Sequence, residues 1–156
     1  VREPTQIYGS IEAQHQKTLL LDFPDHLAPL SRHARASRLF EDNGVVGGPL
    51  NSIHALQDIS DSLQQRLYYV VFEHLMQDPG TVMHNIHGWA GLEMVQFDPN
   101  NLPTSPHESD SYYRFKYRHK TLNRITPPQR HEVPERIERE IHEHYGWFYN
   151  IFYPRP

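Results

Sequence analysis

Proline and glycine cut this chain into pieces of helix length, and that punctuation constrains the fold more than any other feature. Gly44, Gly47, Gly48 and Pro49 make a loop, Asp78-Pro79-Gly80 ends one segment and opens the next, and Pro127 and Pro128 stop another. Proline lacks the amide proton that a helix interior needs, and glycine loses the most freedom on ordering. Between these breaks, apolar residues recur at helical spacing. A helix is expected across 25–42, with Leu27, Leu30, Ala34 and Leu39 on one face; Pro29 places its regular part after that point. A longer helix is expected across 52–77, capped by Asn51 or Ser52, with an apolar stripe from Ile53 through Leu63 to Val71. Asp78 and Pro79 then open a short helix that carries His84 and His87. Residues 95–108 read as a loop, and Ser109 or Asp110 caps a helix to about Ile125. A further helix at 134–145 is charged all round, with Glu135 and Arg139 one turn apart, which suits an outer, solvated position. Residues 1–23 read as an extended arm, in which Thr18-Leu19-Leu20-Leu21 makes a short strand or packed tail. The aromatic tail at 147–156, from Trp147 to Tyr153, is expected to pack back on the body. The fold class expected is mainly α: an antiparallel helix bundle with long loops and extended termini, in a single domain over 1–156.

Composition removes several function classes. The 156 residues suffice for one domain with a core. Fifteen Lys and Arg against nineteen Asp and Glu give a net charge of −4, so no footprint for nucleic acid is present. No apolar stretch approaches a membrane span and no N-terminal apolar leader is visible, although the chain opens on Val1 rather than Met and leaves room for a preceding segment. With no cysteine, a metal has only His, Asp or Glu for ligands. Apolar residues in the arm and tail allow a homodimer.

Twelve histidines are many for this length, and most read as ordinary polar residues; His15, His131, His142 and His144 keep charged company and take that reading. His84 and His87 differ because three residues on a helix return to the same face, so both can reach one ion. His119, 32 residues after His87, sits on a separate expected helix and supplies a third imidazole. Three protein ligands leave one position open, as a catalytic metal requires.

Three blocks carry a family resemblance. His84-Asn85-x-His87-x-Trp89-x-Gly91-x-x-Met94 resembles the second copper half-site of the tyrosinase–hemocyanin family. The stretch from Phe115 through His119 to Arg124-Ile125 is similar to the same family's Phe-x-x-His-His-x-x-x-Asp-Arg pattern, with His119 on the ligating histidine. Gln65-Arg66-Leu67-Tyr68 to Phe72-Glu73 resembles the His-Arg-x-Tyr-x-x-x-Phe-Glu helix of the first half-site. Together they cover roughly 52–125, the expected metal core. The departures are specific. Gln65 and Leu56 stand where the first half-site has histidines, the His84–His87 pair is one residue closer than the family's, Arg118 replaces the first histidine of the doublet, and Asn123 replaces the aspartate.

A chain with one half-site resembles the small hemocyanin-like cyclopenases of fungal alkaloid pathways, which bind zinc there. That resemblance implies a zinc-dependent, non-oxidative lyase or isomerase acting on a small molecule. It would convert a cyclopenin-type benzodiazepinedione epoxide to a viridicatin-type 3-hydroxyquinolone with loss of methyl isocyanate. It implies zinc on His84, His87 and His119, Glu73 as proton carrier, and a substrate cavity lined by Gln65, Tyr68 and His54. The helical spacing expected at 65–73 puts Tyr69 and Glu73 on one face and Gln65, Tyr68 and Phe72 on another. Trp89 and Met94 read as core residues rather than substrate contacts. Two alternatives remain: a copper-dependent phenol oxidase or oxygen-binding protein whose first site is rebuilt from His54, His33 or His26, and a non-catalytic helical protein with a structural metal.

Overall fold

Pro4 begins a helix instead of bracketing an extended arm. The computed structural model describes residues 1–18, 27, 29–96, 98–103 and 122–154. Its first helix, α1, runs Pro4–Thr18 with proline at the first helical position. Thr5, Tyr8, Gly9, Glu12 and His15 are buried along it at helical spacing. That stripe is mostly polar, so a search for apolar periodicity passes over it. The remaining helices are α2 (Arg32–Leu39), α3 (Gly47–Ala55), α4 (Asp61–Gln64), α5 (Phe72–Gln77), α6 (Pro79–Ala90), α7 (Glu135–His144) and α8 (Gly146–Phe152). The described residues contain no strand, and the fold is mainly α as expected. None of these helices is long and apolar enough to cross a membrane.

The chain divides into two compact units, one of Val1 with Tyr68–Gln129 and one of Arg2–Leu67 with Arg130–Pro156. In the discontinuous unit, Ser31 caps α2 by accepting from the Ala34 amide at 3.2 Å. Leu39, Val46, Leu50, Ile137, Ile141 and Phe148 are buried there. α7 is therefore amphipathic rather than solvated all round: Ile137 and Ile141, one turn apart, are each 4% exposed, while Arg136 and Glu140 pair on the outside at 2.9 Å. The aromatic tail packs back as expected but is helical. In α8, Phe148 is buried and meets Phe152 at 4.7 Å between ring centroids.

The Gln6 side-chain amide mimics a peptide group. Its nitrogen donates to the His131 carbonyl at 3.3 Å and its oxygen accepts from the His131 amide at 2.9 Å. Gly9 permits that approach, because a Cβ there would lie 2.5 Å from His131 Cβ.

The single helix expected over 52–77 is three helices and an extended stretch. Ser60 and the acidic and hydroxyl side chains around it compete for the backbone. Ser60 is extended, and the Gln64 amide caps the freed Gln57 and Ile59 carbonyls at 2.8 and 3.1 Å. Tyr68-Tyr69-Val70-Val71 is rich in aromatic and β-branched residues, which favour extended backbone. It is non-helical, and Val1 pairs beside it: the Val1 nitrogen donates to the Val70 carbonyl at 2.6 Å, and the Phe72 amide donates to the Val1 carbonyl at 2.8 Å. Most of the helix expected from Ser109 falls at 104–121, outside the described residues. Its expected end at 122–125 is not helical; the Ile125 amide donates to the Pro99 carbonyl at 2.7 Å, and the Leu102 amide to the Asn123 carbonyl at 2.6 Å.

Candidate metal centre

α6 holds the histidine pair, and both its ends follow from the sequence. Asp78 caps it by accepting from the Thr81 amide at 3.1 Å, and Pro79 follows at the first position. That amide holds the Asp78 carboxyl below its ordinary value. At the other end Gly91 takes the left-handed conformation, φ 65°, which a side chain resists. The turn sends the chain back over the helix, with the Leu92 amide donating to the His87 carbonyl at 2.9 Å.

This return positions an imidazole. His87 Nδ1 lies 2.7 Å from the Glu93 carbonyl oxygen. A carbonyl only accepts, so Nδ1 carries the proton and the neutral ring keeps its lone pair on Nε2. Metal-ligating histidines are anchored in this manner through the nitrogen that does not bind. His84 precedes His87 by one turn, and its side chain is exposed. His84, His87, Gly88 and Gly91 recur at helical spacing, and among the described residues nothing beyond the local backbone lies within 4 Å of where a Cβ would stand on either glycine. Among the described residues, nothing covers the face at these two glycines.

Trp89 and Met94 are not core residues: they are 48% and 52% exposed. The Trp89 ring meets Tyr68 at 5.4 Å between centroids, so Tyr68 belongs to an aromatic pair in the unit that holds α6. Glu73 lies in the first turn of α5 in that unit and is half-buried. The helical face expected to join Tyr69 to Glu73 does not exist, because Tyr69 is in the extended stretch before α5. Gln65 and His54 belong to the other unit. Gln65 ends α4 and is exposed, and His54 rests on Trp147 at 4.5 Å between centroids. His119 lies outside the described residues. Among the described residues, no group of three or more His, Asp or Glu is gathered to hold a metal ion.

A second titratable cluster leaves no apolar pattern in the sequence. Glu12 on α1, 5% exposed, faces Arg35 on α2, 8% exposed. Arg35 Nε donates to Glu12 Oε2 at 2.9 Å and Nη2 to Oε1 at 2.5 Å, and its third nitrogen donates to the Leu30 carbonyl. Arg32 and Gln16 each reach Oε1 at 3.3 Å. Burial raises the Glu12 carboxyl, but the Arg35 hydrogen bonds and charge outweigh it, and the net position is below the ordinary value. His15, buried beside them, is lowered by burial and then by the Arg35 charge. Burial, reinforced by the Glu12 charge, pushes the Tyr8 hydroxyl up to about 12. A carboxylate already engaged by two arginines is a clamp rather than a base. The signal available in the sequence was positional: Tyr8, Glu12 and His15 recur at helical spacing, but none is apolar enough to count as a core stripe.

Comparison with protein-family models, curated proteins and solved structures gives no match for this chain.

Proposed function

We propose that the chain is a zinc-dependent, non-oxidative lyase or isomerase, with His84, His87 and His119 as ligands. The observation that carries the reading is the anchoring of His87 Nδ1 on the Glu93 carbonyl at 2.7 Å, which leaves Nε2 to bind a metal. The donor set fits the ion: neutral imidazoles suit zinc and leave a position for substrate. When bound there, zinc supplies Lewis acidity toward a carbonyl or epoxide oxygen.

The chain's own residues do the rest in this proposal. Tyr68 and Trp89 offer aromatic faces to a ring-bearing substrate. Glu73 takes up and returns the proton that moves as the epoxide opens and the ring contracts. The substrate class proposed is a cyclopenin-type benzodiazepinedione epoxide, rearranged to a 3-hydroxyquinolone with methyl isocyanate leaving, so that no external oxidant is consumed. Elemental analysis of the purified chain tests the metal. About one zinc per chain, lost in His87→Ala and in His119→Ala, is expected. Two coppers would replace this reading with an oxidase, and no metal would overturn it. A metal-loaded chain that leaves the epoxide unchanged would overturn the substrate assignment alone.

A further inference from the structure

A groove in the discontinuous unit lies outside the metal proposal and does not depend on it. Ala36 and Ser37 of α2 line one side, and Ile137 and Ile141 of α7 line the other. Two small side chains across from two branched ones leave a cavity of about 280 Å³ that opens to solvent. Phe40 and Tyr145 wall it, with ring centroids 5.4 Å apart and ring planes inclined by 42°. The Tyr145 hydroxyl already donates to the Phe40 carbonyl at 3.2 Å and Tyr145 is buried, so the ring surface of this wall is that of half-buried Phe40.

The groove also has a fixed acceptor. Glu140 lines it, and its carboxylate is held from two sides: Arg136 Nε donates to Oε1 at 2.9 Å, and His33 Nε2 lies 2.8 Å from Oε2. The Arg136 hydrogen bond, helped by His33, keeps the carboxyl ionised below its ordinary value. Each carboxylate oxygen can accept two hydrogen bonds and here takes one, so each retains one lone pair for a ligand. Arg136 already balances the charge of Glu140. An ammonium would find no unmatched anion there, and a carboxylate ligand would face a like charge. The size admits one or two rings.

We propose that this groove binds a neutral one- or two-ring arene bearing a hydrogen-bond donor, of the indole or phenol class. The ring lies against Phe40 over the floor made by Ile137 and Ile141, and the N–H or O–H donates to Glu140.

Indole titrated into the full chain, followed by NMR of the Ile137 and Ile141 methyl groups, tests this. Saturable shifts are expected. 1-Methylindole, which keeps the rings and lacks the donor, should bind about tenfold more weakly, as loss of a hydrogen bond to a charged acceptor predicts. In Glu140→Ala the two ligands should bind equally. Ser37→Leu, at an exposed position, should abolish the shifts while the melting temperature holds. The idea fails if indole gives no saturable shift, if 1-methylindole binds the wild-type chain as well as indole, or if binding survives Ser37→Leu. Comparing the two ligands on the wild-type chain needs no variant to fold.

Discussion

Arg35 and Glu12 show how much one buried pair can decide. Removing one partner from a buried ion pair strands a charge, whereas removing both leaves an apolar contact. Arg35→Met should therefore lower stability by about 3–5 kcal/mol, and Glu12→Leu combined with Arg35→Met should recover most of it, measured by urea unfolding. A double variant as unstable as the sum of the singles would refute the clamp. The same cluster sets the acid response. The His15 pKa is lowered in the folded state, so below its unfolded value near 6.5 the unfolded chain binds more protons. Stability should fall with pH from that point down to the folded value. Glu12 is also lowered, so its contribution is full above about 4.5 and disappears as pH falls through its folded value. Two acid steps are expected in denaturation against pH, and His15→Asn should erase the upper one. None of this was legible from pattern. Periodicity finds buried faces by their apolar residues, and here the buried face is Thr5, Tyr8, Glu12 and His15.

Among the elements, α6 was the most readable, since each end has a chemical cause visible in sequence: an acceptor at Asp78, a ring at Pro79, and a glycine at Gly91 where φ must be positive. Gly91→Ala should cost about 1–2 kcal/mol for the left-handed conformation. It should also loosen the return of Glu93 over His87. The ¹⁵N shifts of the His87 ring, which distinguish its two neutral tautomers, should move from one form to a mixture. Unchanged ring shifts would mean that the turn does not hold the imidazole. The 52–77 segment departs from its pattern for the opposite reason. Its apolar stripe has helical spacing, but the run Tyr68–Val71 also has the composition of extended chain, and the pairing with Val1 decides between them. The site resemblance suffered with it, because Gln65 and Glu73 do not share a helix.

For the molecule as a whole, burial is uneven. Phe148, Tyr145, Ile137 and Tyr8 are nearly inaccessible in the discontinuous unit, while no described residue of 68–129 is fully buried. Amides of α7 and α8 should therefore exchange with solvent far more slowly than those of α5 and α6. Added zinc should slow exchange in α6 if the metal proposal holds, since a ligand of the native state stabilises what it binds. Equal protection in both units would contradict the first expectation. Phe148→Ala should cost about 3–5 kcal/mol in thermal or urea unfolding. The sequence disclosed the helical class and the packed tail, yet Ile137 and Ile141, two apolar residues in a charged decad, were too few to announce α7 as a core helix.

The tie between Gln6 and His131 has a consequence for how this chain is made. Its first helix finds a partner 125 residues further along the chain, and residues 68–129, made in between, belong to a unit of their own. α1 must wait for His131 and for α7, on which it packs, until translation has passed His144. Contacts so distant in sequence close slowly, and surfaces held open in the meantime are open to other chains. The smallness of Gly9 then acquires a second meaning. It keeps a berth on α1 into which His131, made much later, can settle.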